Sequence, residues 1–119
     1  MPLERLSLPA DPAQALEILK EASRRRPTLV FKKSPRCPVS FAAEAEWREF
    51  LAARAGADLA VAEIDVVHER ALARGLTELL SIRHESPQAL QFRDGELCWH
   101  DSHERLDHET FRKRLEPAS

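Results

Sequence analysis

The sequence predicts one α/β domain with a central mixed four-stranded sheet and helices on both faces. Three observations lead there. Two β-favouring apolar runs, Thr28–Phe31 and Leu59–Val66, flank a segment of helical periodicity, the arrangement of a parallel crossover. The second run is nearly continuous in apolar residues, as expected of a strand covered on both faces. Asp94-Gly95 then separates two further strand-like runs, a two-residue hairpin signal that adds an antiparallel pair. A length of 119 residues accommodates one domain, residues 1–119, and is short for two.

The elements follow in order. Asp11-Pro12 reads as a helix cap with proline in the first turn, and Ala15, Leu16, Leu19 and Ala22 recur at helical spacing until Pro27. Lys32 to Arg36 reads as a basic loop. The second helix runs from Pro38 to about Arg54, with Val39, Ala43, Trp47, Phe50, Leu51 and the stem of Arg54 near one face and Gly56 as its stop. His68 to about Leu80 is a shorter helical region, interrupted at Gly75. Gln88–Phe92 and Glu96–His100 form the hairpin. Asp101 or Ser102 caps a last helix that packs Leu106, Thr110, Phe111 and Leu115 inward.

Composition narrows the function. A net charge of -2 gives no global reason for a nucleic-acid or membrane partner. No apolar stretch approaches the roughly 20 residues of a membrane span, and the first residues lack the features of a secretion signal. There is no glycine-rich phosphate loop. Arg24-Arg25-Arg26 ends a helix, where capping and solubility explain it. Two cysteines make no disulfide framework, so a cytoplasmic protein with a reactive cysteine is expected.

That cysteine is Cys37, in Cys37-Pro38-Val39-Ser40, between a strand-like run and a helix start. A helix start presents unpaired N–H groups and the positive end of the dipole, which favour a thiolate. Pro38 suits the first helical position, since its missing N–H would go unpaired there. Lys32, Lys33 and Arg36 can support the anion. Ser40 stands where a dithiol motif has its second cysteine, and its hydroxyl can reach back toward the sulfur. An adduct on Cys37 must then be resolved by an outside thiol or by Cys98, which reads as a packing residue at the edge of the core. Pro87 precedes a strand, and a cis or a trans Ser86–Pro87 bond is open. His84, in the same loop, is either a base or ion-pair partner for the thiol or a surface histidine. His100-Asp101-Ser102-His103, with His108, resembles a metal-ligand spacing, but the caps account for Asp101 and Ser102, so no metal is expected. An iron–sulfur cluster shared between two chains needs outside thiols and is a lesser reading.

Three ordered segments resemble the monothiol bacilliredoxin-like (YtxJ-like) proteins: Phe31 through Ser40, Ile82 through Gln88, and Gly95-Glu96 followed by Trp99-His100-Asp101-Ser102-His103. The resemblance implies a thioredoxin-like fold, with Cys37 redox-active and Ser86-Pro87 at the cis-proline position. It implies bacillithiol as co-substrate, with no tightly bound cofactor, and bacillithiolated client proteins as partners. Lys33 and Arg36 are then candidates for anion recognition. Two other readings stand beside it: a non-catalytic thioredoxin-like sensor or interaction module, and a monothiol oxidoreductase using a different small thiol.

Overall fold

The computed structural model describes residues 3–35, 38–53, 58–102 and Leu106. The chain runs β1 (Glu4–Arg5), α1 (Pro12–Arg25), β2 (Thr28–Lys33), α2 (Pro38–Ala53), β3 (Ala60–Asp65), α3 (Arg70–Leu80), β4 (Gln88–Arg93) and β5 (Glu96–Ser102). The strands form one sheet in the order β1-β3-β2-β4-β5. β3 is parallel to both β1 and β2, while β4 is antiparallel to β2 and β5. The mixed sheet was expected with four strands and has five. The addition is β1, two residues against the outer side of β3, too short to leave a periodic signature.

Strand parity sorts the core into two layers. Leu29, Phe31, Val61 and Ala89 point to the α2 side, where they meet Ala43, Trp47, Phe50 and Leu51. Val30, Ala62, Ile64, Leu90 and Phe92 point the other way, onto Ala15, Leu16 and Leu19 of α1 and Leu72, Ala73 and Leu76 of α3. Trp47 is fully buried and stacks on Phe31, with ring centroids 5.2 Å apart and planes 14° from parallel.

α1 begins as expected. Asp11 caps it by accepting from the Gln14 N–H at 2.9 Å, and Pro12 occupies the first turn. α3 corrects an expectation, because it runs unbroken through Gly75. The glycine is there for packing, since a Cβ would stand 2.3 Å from Pro12 Cγ. The hairpin turn has φ of 52° at Asp94 and 84° at Gly95, the paired positive values of a type I′ turn. β5 extends to Ser102, so Asp101 and Ser102 are strand residues and not helix caps. Of the expected last helix only Leu106 is described, buried against the α2-side core; Thr110, Phe111 and Leu115 lie outside the described residues, as do Arg54 and Gly56.

A bulge in β5 explains its mixed facing. Gln91 pairs with Trp99 but Phe92 pairs with Leu97, which leaves Cys98 as the extra residue. One inserted residue reverses the face. Leu97 therefore packs toward α1 and α3, and Trp99 toward α2.

Candidate active site

The described members of the expected site lie toward one end of the sheet because of how β2 and β4 pair. In that antiparallel register Lys32 stands opposite Gln88, so β2 ends where β4 begins. The residues before β4 are Ser86 and the buried Pro87, joined by a cis bond. The chain leaving β2 passes Ser34 and Pro35 and is described again at Pro38, the first residue of α2. Cys37 and Arg36 lie outside the described residues. Their two flanks and the Ser86–Pro87 loop are therefore what defines the site.

Ser40 joins those flanks. It is fully buried, and its Oγ accepts from the Ser34 backbone N–H at 2.7 Å. The start of the loop is thereby tied to the first turn of α2. The serine that replaces a second thiol has a structural partner of its own.

The two lysines at the end of β2 separate by strand parity. Lys33 turns to the α2 side, where Nζ lies 3.2 Å from Glu63 and 3.4 Å from Glu44. Burial pulls its ammonium down, but Glu63 and Glu44 more than offset this and hold it above its ordinary value. Glu63 also accepts from the Trp47 indole N–H at 3.0 Å. Burial raises that carboxyl, while Trp47, Lys33 and Arg5 together lower it further, so it stays below its usual range. Lys33 is thus engaged with two carboxylates of its own chain.

Lys32 turns to the other side and is fully buried. Its Nζ lies 2.8 Å from His84 Nδ1 and 2.8 Å from Gln88 Oε1. Burial, assisted by the charge of Arg74 and opposed by Glu85, lowers its pKa to about 7. Burial, then Lys32, Arg74 and Arg70, push His84 down to about 4. Gln88 in turn donates to Arg83 O at 2.9 Å, and the Ser102 hydroxyl donates to the Glu85 carboxylate. The loop around Ser86–Pro87 is held on both flanks. Among the described residues Ser86 Oγ is buried with no hydrogen-bond partner.

Cys98 corrects an expectation. It was read as a packing residue, but it is exposed, because the bulge turns it out of the sheet. Its Sγ lies 3.4 Å from Gln91 Oε1, and burial of the sulfur raises its pKa, so a thiolate is disfavoured there. His103 and His108 of the metal-like spacing lie outside the described residues.

The pairing of Lys32 with His84 and Gln88 was not anticipated, nor was that of Glu63 with Trp47. Alternation carried part of the signal. In a strand covered on both faces, consecutive lysines go to opposite faces, and the inner one must find partners. Nothing local points from Lys32 to His84, which is 52 residues away.

Similar solved structures span nearly the whole chain. A candidate oxidoreductase with a thioredoxin fold superposes with a TM-score of 0.76 at 26% identity, covering 96% of this chain and 94% of that one. Thioredoxin from Fasciola hepatica gives 0.67 at 15%, covering 94% and 95%. Trxlp from Edwardsiella tarda gives 0.66 at 19%, covering 97% and 99%. The last two show the fold alone. The family model described as monothiol bacilliredoxin BrxC matches residues 10–111, a span that includes the Cys37-Pro38-Val39-Ser40 segment and the Ser86–Pro87 loop. With a thioredoxin-like sheet and a serine at the second motif position, the chain belongs to the monothiol bacilliredoxin family of thioredoxin-like oxidoreductases.

Proposed function

We propose that this protein removes bacillithiol from client proteins through Cys37. The observation that carries the reading is the family match over a site with one motif thiol, in which Ser40 is buried and bonded to Ser34. Cys37 thiolate attacks the bacillithiol sulfur of a client mixed disulfide. The client–bacillithiol S–S bond breaks, the client sulfur leaves as a thiolate and takes a proton, and a Cys37–bacillithiol disulfide forms. A second bacillithiol thiolate attacks the bacillithiol sulfur of that adduct. It frees Cys37 and yields bacillithiol disulfide, so oxidising equivalents balance at each step. Attack at the wrong sulfur traps a protein–protein adduct, so the site must present the small thiol's sulfur to Cys37.

Several features support this role. The start of α2 favours an anion beside Cys37. Pro38, Ser86 and Pro87 frame the approach to the thiol, with Arg36 a carboxylate partner by its rigid fork. Lys33, held by Glu63 and Glu44, contributes a fixed positive charge more than a mobile anion clamp. Phe41, exposed in the first turn of α2, offers a client an apolar contact. Cys98, exposed but disfavoured as a thiolate, takes no step. Among the described residues no helix is long and apolar enough to cross a membrane.

The test is intact-mass spectrometry of the reduced protein mixed with a bacillithiolated client. The bacillithiol mass should move to the protein, free client should appear, and Cys37→Ser should abolish both while Cys98→Ser leaves them unchanged. A single stable oxidation without client release would indicate a sensor. Transfer from a glutathionylated client but not a bacillithiolated one would replace the ligand.

A further inference from the structure

We propose that Lys32 is a positioning residue that fixes His84 as the tautomer with its proton on Nε2, so that the loop carrying Ser86–Pro87 presents a hydrogen-bond donor to an anionic acceptor, the thiolate or carboxylate of the thiol ligand. The ligand part of this inference rests on the exchange reading above; the tautomer part does not.

The geometry leads there in three steps. Lys32 Nζ lies 2.8 Å from His84 Nδ1, and as an ammonium, its state below about pH 7, it has no lone pair, so the imidazole accepts there. A ring that accepts at Nδ1 is neutral there and carries its proton on Nε2. The same Nζ donates to Gln88 Oε1 at 2.8 Å, and the Gln88 amide donates to Arg83 O at 2.9 Å, so one buried amine holds both flanks of Ser86–Pro87.

The ammonium has three hydrogens, enough for both partners. The neutral amine also carries a lone pair that can accept from Nδ1–H, so Lys32 fixes the tautomer while it is charged. A second proton on His84 would place two cations in contact and break the bond. The groups facing the pair are Arg74 and Arg70 of α3, which oppose further positive charge, and Glu85 of the loop, which favours it. Burial first, then Lys32, Arg74 and Arg70 against Glu85, keeps His84 neutral at ordinary pH. His84 is half-buried, with its Nδ1 taken from below by a side chain of β2. In that tautomer its Nε2 is a donor, which speaks against the base among the sequence readings of His84.

The experiment is nitrogen-15 NMR of the histidine side chains across pH, on the reduced full-length protein and on Lys32→Met, with His84→Gln to assign the signals. In the wild type, His84 should show the Nε2–H tautomer at about pH 5.5–6, where Lys32 is charged, and gain its second proton only well below 6.5. In Lys32→Met its titration should move up toward 6.5 without reaching it, because burial persists, and the two tautomers should mix. An Nδ1–H tautomer in the wild type while Lys32 is charged, ordinary titration there, or an unchanged His84 in the variant overturns the assignment. The wild-type spectrum decides even if the variant does not fold, and it needs no exchange activity. Provided the wild type exchanges, Lys32→Met should raise KM for the mixed-disulfide client several-fold with a smaller change in kcat; an unchanged KM overturns the ligand role.

Discussion

Lys32 should make this protein more stable as pH rises from 7 to 9. Its amine is completely buried, and its pKa falls from 10.5 to about 7 in the folded chain. Between those values the unfolded chain still holds a proton that the folded chain has released. Stability therefore rises with pH through this window, is fully gained above 10.5, and is lost as pH falls toward 7. At about 1.4 kcal/mol per pKa unit the whole effect approaches ~5 kcal/mol, of which roughly 2 kcal/mol falls between pH 7 and 9.

The control is Lys32→Met, which keeps the stem and removes the titrating group. Near pH 7 two effects of the substitution oppose each other. It relieves the cost of a buried cation, but it leaves His84 Nδ1 without its Lys32 donor, at about 1–3 kcal/mol, and Gln88 Oε1 with only the longer 3.5 Å bond from the Glu85 N–H. The two proteins should thus be close in stability at pH 7, and the wild type should lead by roughly 2 kcal/mol at pH 9. Urea unfolding followed by the fluorescence of Trp47 and Trp99 measures both. Taking the difference between the proteins cancels groups that titrate alike in each, the cysteines included. A wild-type-minus-variant difference that is the same at pH 7 and pH 9 would refute the reasoning, because Lys32 would then be an ordinary ammonium throughout.

Three other substitutions test neighbouring parts of the site. Ser40→Ala leaves the Ser34 N–H without its 2.7 Å acceptor and should cost about 1 kcal/mol in urea unfolding, with slower transfer onto Cys37 in the mass assay. Trp47→Phe removes the indole donor to Glu63 and shrinks a fully buried side chain. A loss of roughly 2 kcal/mol is expected, accompanied by an upward shift of the Glu63 carboxyl in carbon-13 NMR titration. Gly75→Ala would ordinarily help a helix by up to about 1 kcal/mol. Here the new Cβ meets the Pro12 ring at 2.3 Å, and overpacking of ~1–3 kcal/mol should win, so thermal unfolding should show a lower midpoint.

The sequence made the large features legible because each had a local cause. Asp11-Pro12 started a helix, Asp94-Gly95 turned a hairpin, and the continuous run around Ile64 marked a strand with two covered faces. The features that escaped depend on contacts distant in sequence. β1 is too short for any period and exists because its two residues find the open edge of β3. Gly75 looked like a break because a helix-interior glycine usually weakens a helix; only Pro12, on another helix, reveals why it fits. Cys98 looked apolar in Leu97-Cys98-Trp99, but the single-residue bulge that exposes it is set by pairing with β4.

The adjacent lysines show how one strand can place two amines in different environments. Parity sends Lys33 to the α2 layer, where two carboxylates keep it charged, and Lys32 to the opposite layer, where burial weakens its hold on a proton. The charged lysine underlies α2, whose N-terminus follows Cys37. The weakly basic one underlies the loop that leads to Ser86–Pro87. The exchange reaction proposed above calls for a stabilised anion on one side and a fixed hydrogen-bonding surface for the small thiol on the other. The alternation of a central β-strand provides the separation, because it places two neighbouring amines where they cannot substitute for each other.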